Sequence, residues 1–150
     1  EILSGLVGSE MCIRDSDEVK EGPNYVQVTD NRGTEAGWSL KVKQEGQFKS
    51  TSGKELTGAA ITFKNGNVVT ASDSGKPTGP ATITLNSDGS QSDVMSAAKG
   101  NGAGTYLFDW GTDATTAAKS IELTVPGSTT KYAEKYATKL TWTLTDAPGN

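Results

Sequence analysis

Gly37-Trp38-Ser39-Leu40-Lys41-Val42 and Leu140-Thr141-Trp142-Thr143-Leu144-Thr145 decide how this chain folds. Each places a Trp, one polar residue and then a Leu. Along a strand, residues two apart point to the same side. Trp38, Leu40 and Val42 therefore share one face, and Leu140, Trp142 and Leu144 share another. The opposite faces carry Ser39, Lys41 and Lys43 in one case, and Thr141, Thr143 and Thr145 in the other. That alternation predicts two strands, each dry on one side and wet on the other.

Similar alternation recurs between them. Residues 25–29, 59–64, 81–85, 105–110, 120–125 and 137–145 read as strands, and 38–44 is the first motif strand. Asp30-Asn31-Arg32-Gly33-Thr34 is a turn-rich loop, because Asp and Asn bond their own backbone and Gly accepts positive φ. Across that short loop, strands 25–29 and 38–44 are either antiparallel neighbours or a crossing between sheets. Asn65-Gly66-Asn67 is a strong turn, after which residues 68–70 would continue as a hairpin. Residues 86–93 read as a polar turn, and 94–98 fit either a strand or a helical turn. Residues 130–136 read as loop. The spacing of roughly eight short strands predicts an all-β fold, an antiparallel β-sandwich of immunoglobulin-like type.

Composition narrows the function. The chain has 150 residues, 33% hydrophobic and 21% charged, with a net charge of -4. An acidic chain offers no basic field for phosphate backbones, so nucleic acid is not an expected partner. No apolar run is long enough to span a bilayer. There is no His and a single Cys, Cys12. Ser-His and Cys-His nucleophile systems and most metal sites are thereby removed, and no cofactor is expected. Gly53-Lys54 and Gly75-Lys76 lack both the earlier Gly and the following Ser or Thr of a phosphate loop. Asn86-Ser87-Asp88-Gly89-Ser90 lacks an EF-hand frame. Asp109, beside Trp110, is the one carboxylate that would suit a glycosidase, and a strand-end residue is the simpler reading. No catalytic residue is assigned.

The first sixteen residues differ from the rest in holding the only Cys and no Thr. The stretch from Leu6 to Ser16 resembles the translated tail of a sequencing adapter. Residues 1–16 are therefore expected to be a non-native scar, and residues 17–150 a single domain. The first strand of the domain would then be missing. A signal peptide, if one preceded the domain, would not be visible here.

Trp38, Leu40, Trp142 and Leu144 have two readings. They anchor a shared core, or the indoles form a platform for sugar rings or a protein partner. The core reading is favoured because a chain this poor in aromatics cannot easily leave both rings in water. Arg32 is the one Arg outside the first sixteen residues. With Asp30 in the same loop it is a candidate ion pair, and Asp109 or Asp146 are further candidates for a bidentate partner.

The Trp-x-Leu pair, with residues 25–34 leading into the first and Asp146-Ala147-Pro148 following the second, resembles the WxL surface domain of low-GC Gram-positive bacteria. Ile121-Glu122-Leu123-Thr124-Val125-Pro126-Gly127 is similar to that family's C-terminal half. The likeness covers about residues 24–150. It implies a secreted, non-catalytic protein held non-covalently on the cell wall, with peptidoglycan or another wall polymer as ligand. It also implies other surface proteins as partners and a link to adhesion. On the same likeness, Trp38, Leu40, Trp142 and Leu144 are the motif residues.

Overall fold

The computed structural model describes residues 2–5 and 23–148, and three of its four longest strands, Asn24–Asp30, Trp38–Gln44 and Gly104–Trp110, lie where the sequence alternates. In chain order the strands are β1 (Ile2–Gly5), β2 (Asn24–Asp30), β3 (Trp38–Gln44), β4 (Lys49–Ser50), β5 (Ala60–Phe63), β6 (Gly66–Thr70), β7 (Ile83–Thr84) and β8 (Gln91–Ala97). Then come β9 (Gly104–Trp110), the single turn of helix α1 (Ala114–Ala117), β10 (Ile121–Thr124), β11 (Tyr136–Ala137) and β12 (Leu140–Thr145). One sheet runs β1-β2-β9-β6 and a second runs β12-β3-β8. A smaller sheet, β10-β5-β7, and the ribbon β11-β4 complete the described structure. All strand pairings are antiparallel.

The two main sheets close on one core. The first contributes Val26, Val28, Tyr106, Phe108 and Trp110, all buried. The second contributes Trp38, Leu40, Val42, Met95 and Ala97, also buried. Phe63, Ile83 and Leu85 join the same cluster from the smaller sheet and its flank. Facing antiparallel sheets with alternating inner residues are a β-sandwich, so the expected all-β architecture is what the chain adopts.

Several local expectations are corrected. Residues 68–70 do not form a hairpin with the preceding strand: β5 pairs with β10 and β7, while β6 pairs with β9. Asn65, at φ 57, turns the chain out of one sheet and into another. The next residue must be small, because a Cβ on Gly66 would meet the Phe108 ring at 2.7 Å. Strands β2 and β3 likewise lie in different sheets, so the loop between them is a crossing. The expected polar turn at 91–93 is instead the first half of β8, paired with Lys41, Val42 and Lys43. Its polar residues lie on an edge strand, where they meet water and Lys41. A bulge opposite Leu40/Lys41 lets Val94 and Met95, adjacent in sequence, both be buried. The expected strand at 137–145 is broken into β11 and β12.

Within the expected scar, Ile2–Gly5 runs antiparallel to β2, from Ile2↔Asp30 to Gly5↔Gln27. The adapter-like stretch and Cys12 lie outside the described residues.

Behind Trp38 the backbone must come very close. The Trp38 Nε1–H donates to the Gly102 carbonyl at 3.0 Å, and Gly102 sits at φ +84. A Cβ there would collide with Ala97 and lie 2.7 Å from Trp38 Nε1. We expect Gly102→Ala to cost about 2–3 kcal/mol, combining left-handed strain with overpacking. Gly33→Ala, at φ +69 with nothing within 4 Å, should cost about 1 kcal/mol from strain alone. Denaturant unfolding of the two variants checks the difference.

Candidate functional site

The structure brings the four motif residues onto one face of one sheet. Strand β12 pairs directly with β3, placing Trp142 opposite Val42 and Leu144 opposite Leu40. Opposite residues on paired strands point the same way, so both Trp-x-Leu runs face the sandwich interior. Trp38 and Leu40 are fully enclosed, at 0% and 1% exposure. Trp142 and Leu144, on the outer strand of the sheet, are half-buried against the same core.

The two indoles stand four residues apart in register and meet partners four residues apart on β9. Trp38 lies 6.3 Å from Tyr106, and Trp142 lies 6.1 Å from Trp110, both tilted. Trp110 also packs on Phe63 at 4.9 Å and on Phe108 at 5.5 Å. Trp110 is thus the hub that ties three sheets together, a role not assigned from sequence. The run Tyr106, Phe108, Trp110 at every second position was the signal for it.

Arg32 makes a different bond from the one expected with Asp109 or Asp146. Its guanidinium forks onto Asp30, Nε to Oδ1 at 2.9 Å and Nη2 to Oδ2 at 2.8 Å. The same Nη2 donates to the Gly37 carbonyl at 2.8 Å, and Nη1 reaches the Asp146 carbonyl at 3.5 Å. Asp146 therefore hydrogen-bonds Arg32 through its backbone, and its carboxylate adds only a Coulombic attraction. Gly37 is buried beneath Pro148, where a Cβ would lie 2.9 Å from that proline's Cα. The end of β2, the start of β3 and the end of β12 are clasped at one point. The candidate pair Asp30 and Arg32 is that clasp.

Asp109 stays apart from the motif cluster. Its cross-strand neighbours are Tyr25 and Asn67, neither a carboxylate. Among the described residues its Oδ1 has no hydrogen-bond partner although it is buried, and burial pushes its carboxyl above the ordinary value. A glycosidase needs a second carboxylate across the scissile bond, and neither neighbour supplies one.

The outer face of the motif sheet is polar. Ser39, Lys41, Asp93 and Ser96 line a groove of about 340 Å³ there, with Thr78, Met95 and Pro148 also in its lining. Lys41 and Asp93 form an ion pair at 3.0 Å in it. Among the described residues no group of His, Cys, Asp and Glu is placed to hold a metal ion, and no helix is long and apolar enough to cross a membrane.

A sandwich whose paired Trp strands build the core and leave a polar outer face defines an all-β module without a helical layer. Residues 9–148 match the family model described as WxL domain surface cell wall-binding, and the chain belongs to that family. No curated protein and no solved structure matches it.

Two outcomes follow from this geometry. Trp142→Ala removes an indole half-buried against Trp110, and we expect a loss of about 2 kcal/mol or more in unfolding free energy. Retention of the wild-type melting temperature would contradict its core role. The second concerns acid stability. Arg32's hydrogen bonds hold the Asp30 carboxyl below its ordinary 3.8, against the opposing effect of burial. The folded chain then binds that proton less readily than the unfolded one. The resulting stabilisation is complete above 3.8 and is lost as pH falls through the lower folded value. We expect Asp30→Asn to lower the neutral-pH melting temperature and to flatten its decline on the acid side, measured by thermal melts across that range.

Proposed function

We propose that this domain attaches non-covalently to the bacterial cell wall, with peptidoglycan as its ligand, and holds a secreted protein at the surface of a Gram-positive cell. It acts without catalysis, and through the attached protein it supports surface-complex assembly or adhesion. The observation that carries this reading is the match to a cell wall-binding family over residues 9–148. The burial of Trp38 and Leu40 supports a division of labour. The motif residues make the frame, and contact with the wall falls to what the frame displays. The groove between Ser39, Thr78, Asp93 and Ser96, crossed by an ion pair, suits a ligand rich in hydroxyls and amides.

A second reading rests on sheet order. Strand β12 ends its sheet, with β3 on its inner side. An edge strand accepts a further strand from another chain, which is a common way of docking a partner surface protein.

Sedimentation of the folded domain with purified peptidoglycan separates the two. We expect the domain to pellet with the polymer, and Lys41→Ala/Asp93→Ala to reduce the bound fraction without lowering the melting temperature. A folded domain left wholly in the supernatant would refute wall attachment and favour strand docking.

A further inference from the structure

The lysines of this chain are unevenly placed. Lys49, Lys54, Lys131, Lys135 and Lys139 are all exposed, on or beside the ribbon of β4 and β11. Pairing brings their segments together: Lys49 lies opposite Ala137, and Ser50 opposite Tyr136. The Lys139 carbonyl accepts from the Glu45 N–H at 2.8 Å. Interleaved carboxylates are few. Glu45 is taken up by Lys43 at 3.3 Å and by the Thr141 hydroxyl at 2.6 Å. Glu55 and Glu134 are the others on these segments. The ribbon is thus a basic end on a chain that is acidic overall.

The basic end is built, not merely crowded. The Ser52 hydroxyl donates to Glu134 at 2.7 Å, and Lys54 lies 3.5 Å from the same carboxylate. Ser50 and Ser52 together with Lys54 hold the Glu134 carboxyl down to about 2, so it stays ionised and keeps Lys54 in place. Lys54 then sits 3.7 Å above the ring of Tyr132, which is 45% exposed. The Tyr132 N–H donates to the Tyr136 hydroxyl at 3.0 Å, tying the loop to itself. Around this locked centre, Lys49, Lys131, Lys135 and Lys139 enter no ion pair among the described residues.

We infer that the lysine ribbon is a second wall contact, apart from the outer face of the motif sheet, and that it binds a flexible phosphodiester polymer with polyol or sugar units. The inference rests on the wall-attachment reading. The chemistry favours such a polymer over an acidic protein. A protein interface needs a desolvated anchor at its centre, with charge kept to the rim. Here the exposed large side chain is a single Tyr, and its ring already carries the Lys54 ammonium. Lysine ammonium groups are mobile point charges that follow a mobile polyanion without demanding a fixed fork. Tyr132 is 45% exposed with Lys54 over its ring, so its remaining open surface suits the C–H groups of a polyol or sugar beside a cation already in place.

The test uses the full chain and two preparations of Gram-positive wall, one intact and one stripped of its phosphodiester polymer by hydrofluoric acid. We expect tighter binding to the intact wall, with the excess falling roughly twentyfold between about 50 and 200 mM salt, as counterion release gives for three contacts to a flexible polyanion. Lys49→Gln/Lys135→Gln/Lys139→Gln should lose that excess, keep its binding to stripped wall and melt like the parent. Soluble poly(glycerol phosphate) should displace the parent from intact wall. Equal binding to both walls, or a triple variant that keeps the excess, overturns the ribbon's role and leaves wall attachment standing. Binding to neither wall overturns both. Displacement by poly-glutamate but not by poly(glycerol phosphate) overturns the ligand class in favour of an acidic protein.

Discussion

Two indole rings far apart in the chain must be covered by the same facing strand. Burying a Trp removes on the order of 200 Å² from water, up to about 5 kcal/mol of transfer energy per ring. Trp38 and Trp142 gain that burial only if β3 and β12 lie side by side and β9 lies over both. Tyr106 and Trp110 on β9 have the same four-residue spacing as the two positions they cover. Register on either sheet is therefore pinned by the other. A one-residue slip of β12 would turn Trp142 and Leu144 to solvent and bring Thr141 and Thr143 inward.

That packing does not hold the ends of the strands. The sandwich end nearest Trp38 gathers a crossing loop, the start of β3 and the end of β12, with several backbone carbonyls at risk of being left unpaired. Arg32 meets this with one planar group. It binds a nearly inaccessible carboxylate with two of its nitrogens and reaches two carbonyls as well. Lys offers a single ammonium and no fork, so it could not do the same. The buried charge on Asp30 is tolerated because Arg32 satisfies both of its oxygens, and the Arg32 backbone N–H adds a third bond at 3.1 Å.

What could be read in the sequence follows from which forces are local. The motif strands and β2 and β9 alternate cleanly, so a period of two identifies them and places their inner residues; β10 alternates too, but its Leu123 is left 51% exposed. The roles of β8, β5 and β6 depend on partners far along the chain. Gln91, Ser92 and Asp93 resemble a turn by composition, and become strand because Lys41, Val42 and Lys43 offer an edge to pair with. Asn65-Gly66-Asn67 does turn the chain, but which edge receives β6 depends on Phe108 closing over Gly66. Arg32 is legible as a planar clamp, and Asp30, two residues before it, is legible as a partner. Asp109 and Asp146 competed for it only because sequence distance does not show which oxygens face the guanidinium. Trp110 reads from sequence as a neighbour of Asp109, yet its alternation with Tyr106 and Phe108 marks an inward face.

The same geometry explains why so short a motif carries information beyond its three letters. Trp and Leu at alternate positions would suit any half-buried strand. What the two copies add is their surroundings: an Asp and an Arg before the first, a Gly immediately ahead of its Trp, and Asp-Ala-Pro after the second. The Arg side chain closes on that Gly's carbonyl and on the final Asp's carbonyl, while the Pro packs over the Gly, where no Cβ would fit. Residues contiguous with each copy thus form the junction that joins the two copies. With the inward residues committed to the core and the flanks to the junction, the motif itself is left little surface with which to touch a ligand. What the sheet presents to solvent is instead its outward side chains, at positions the motif does not specify.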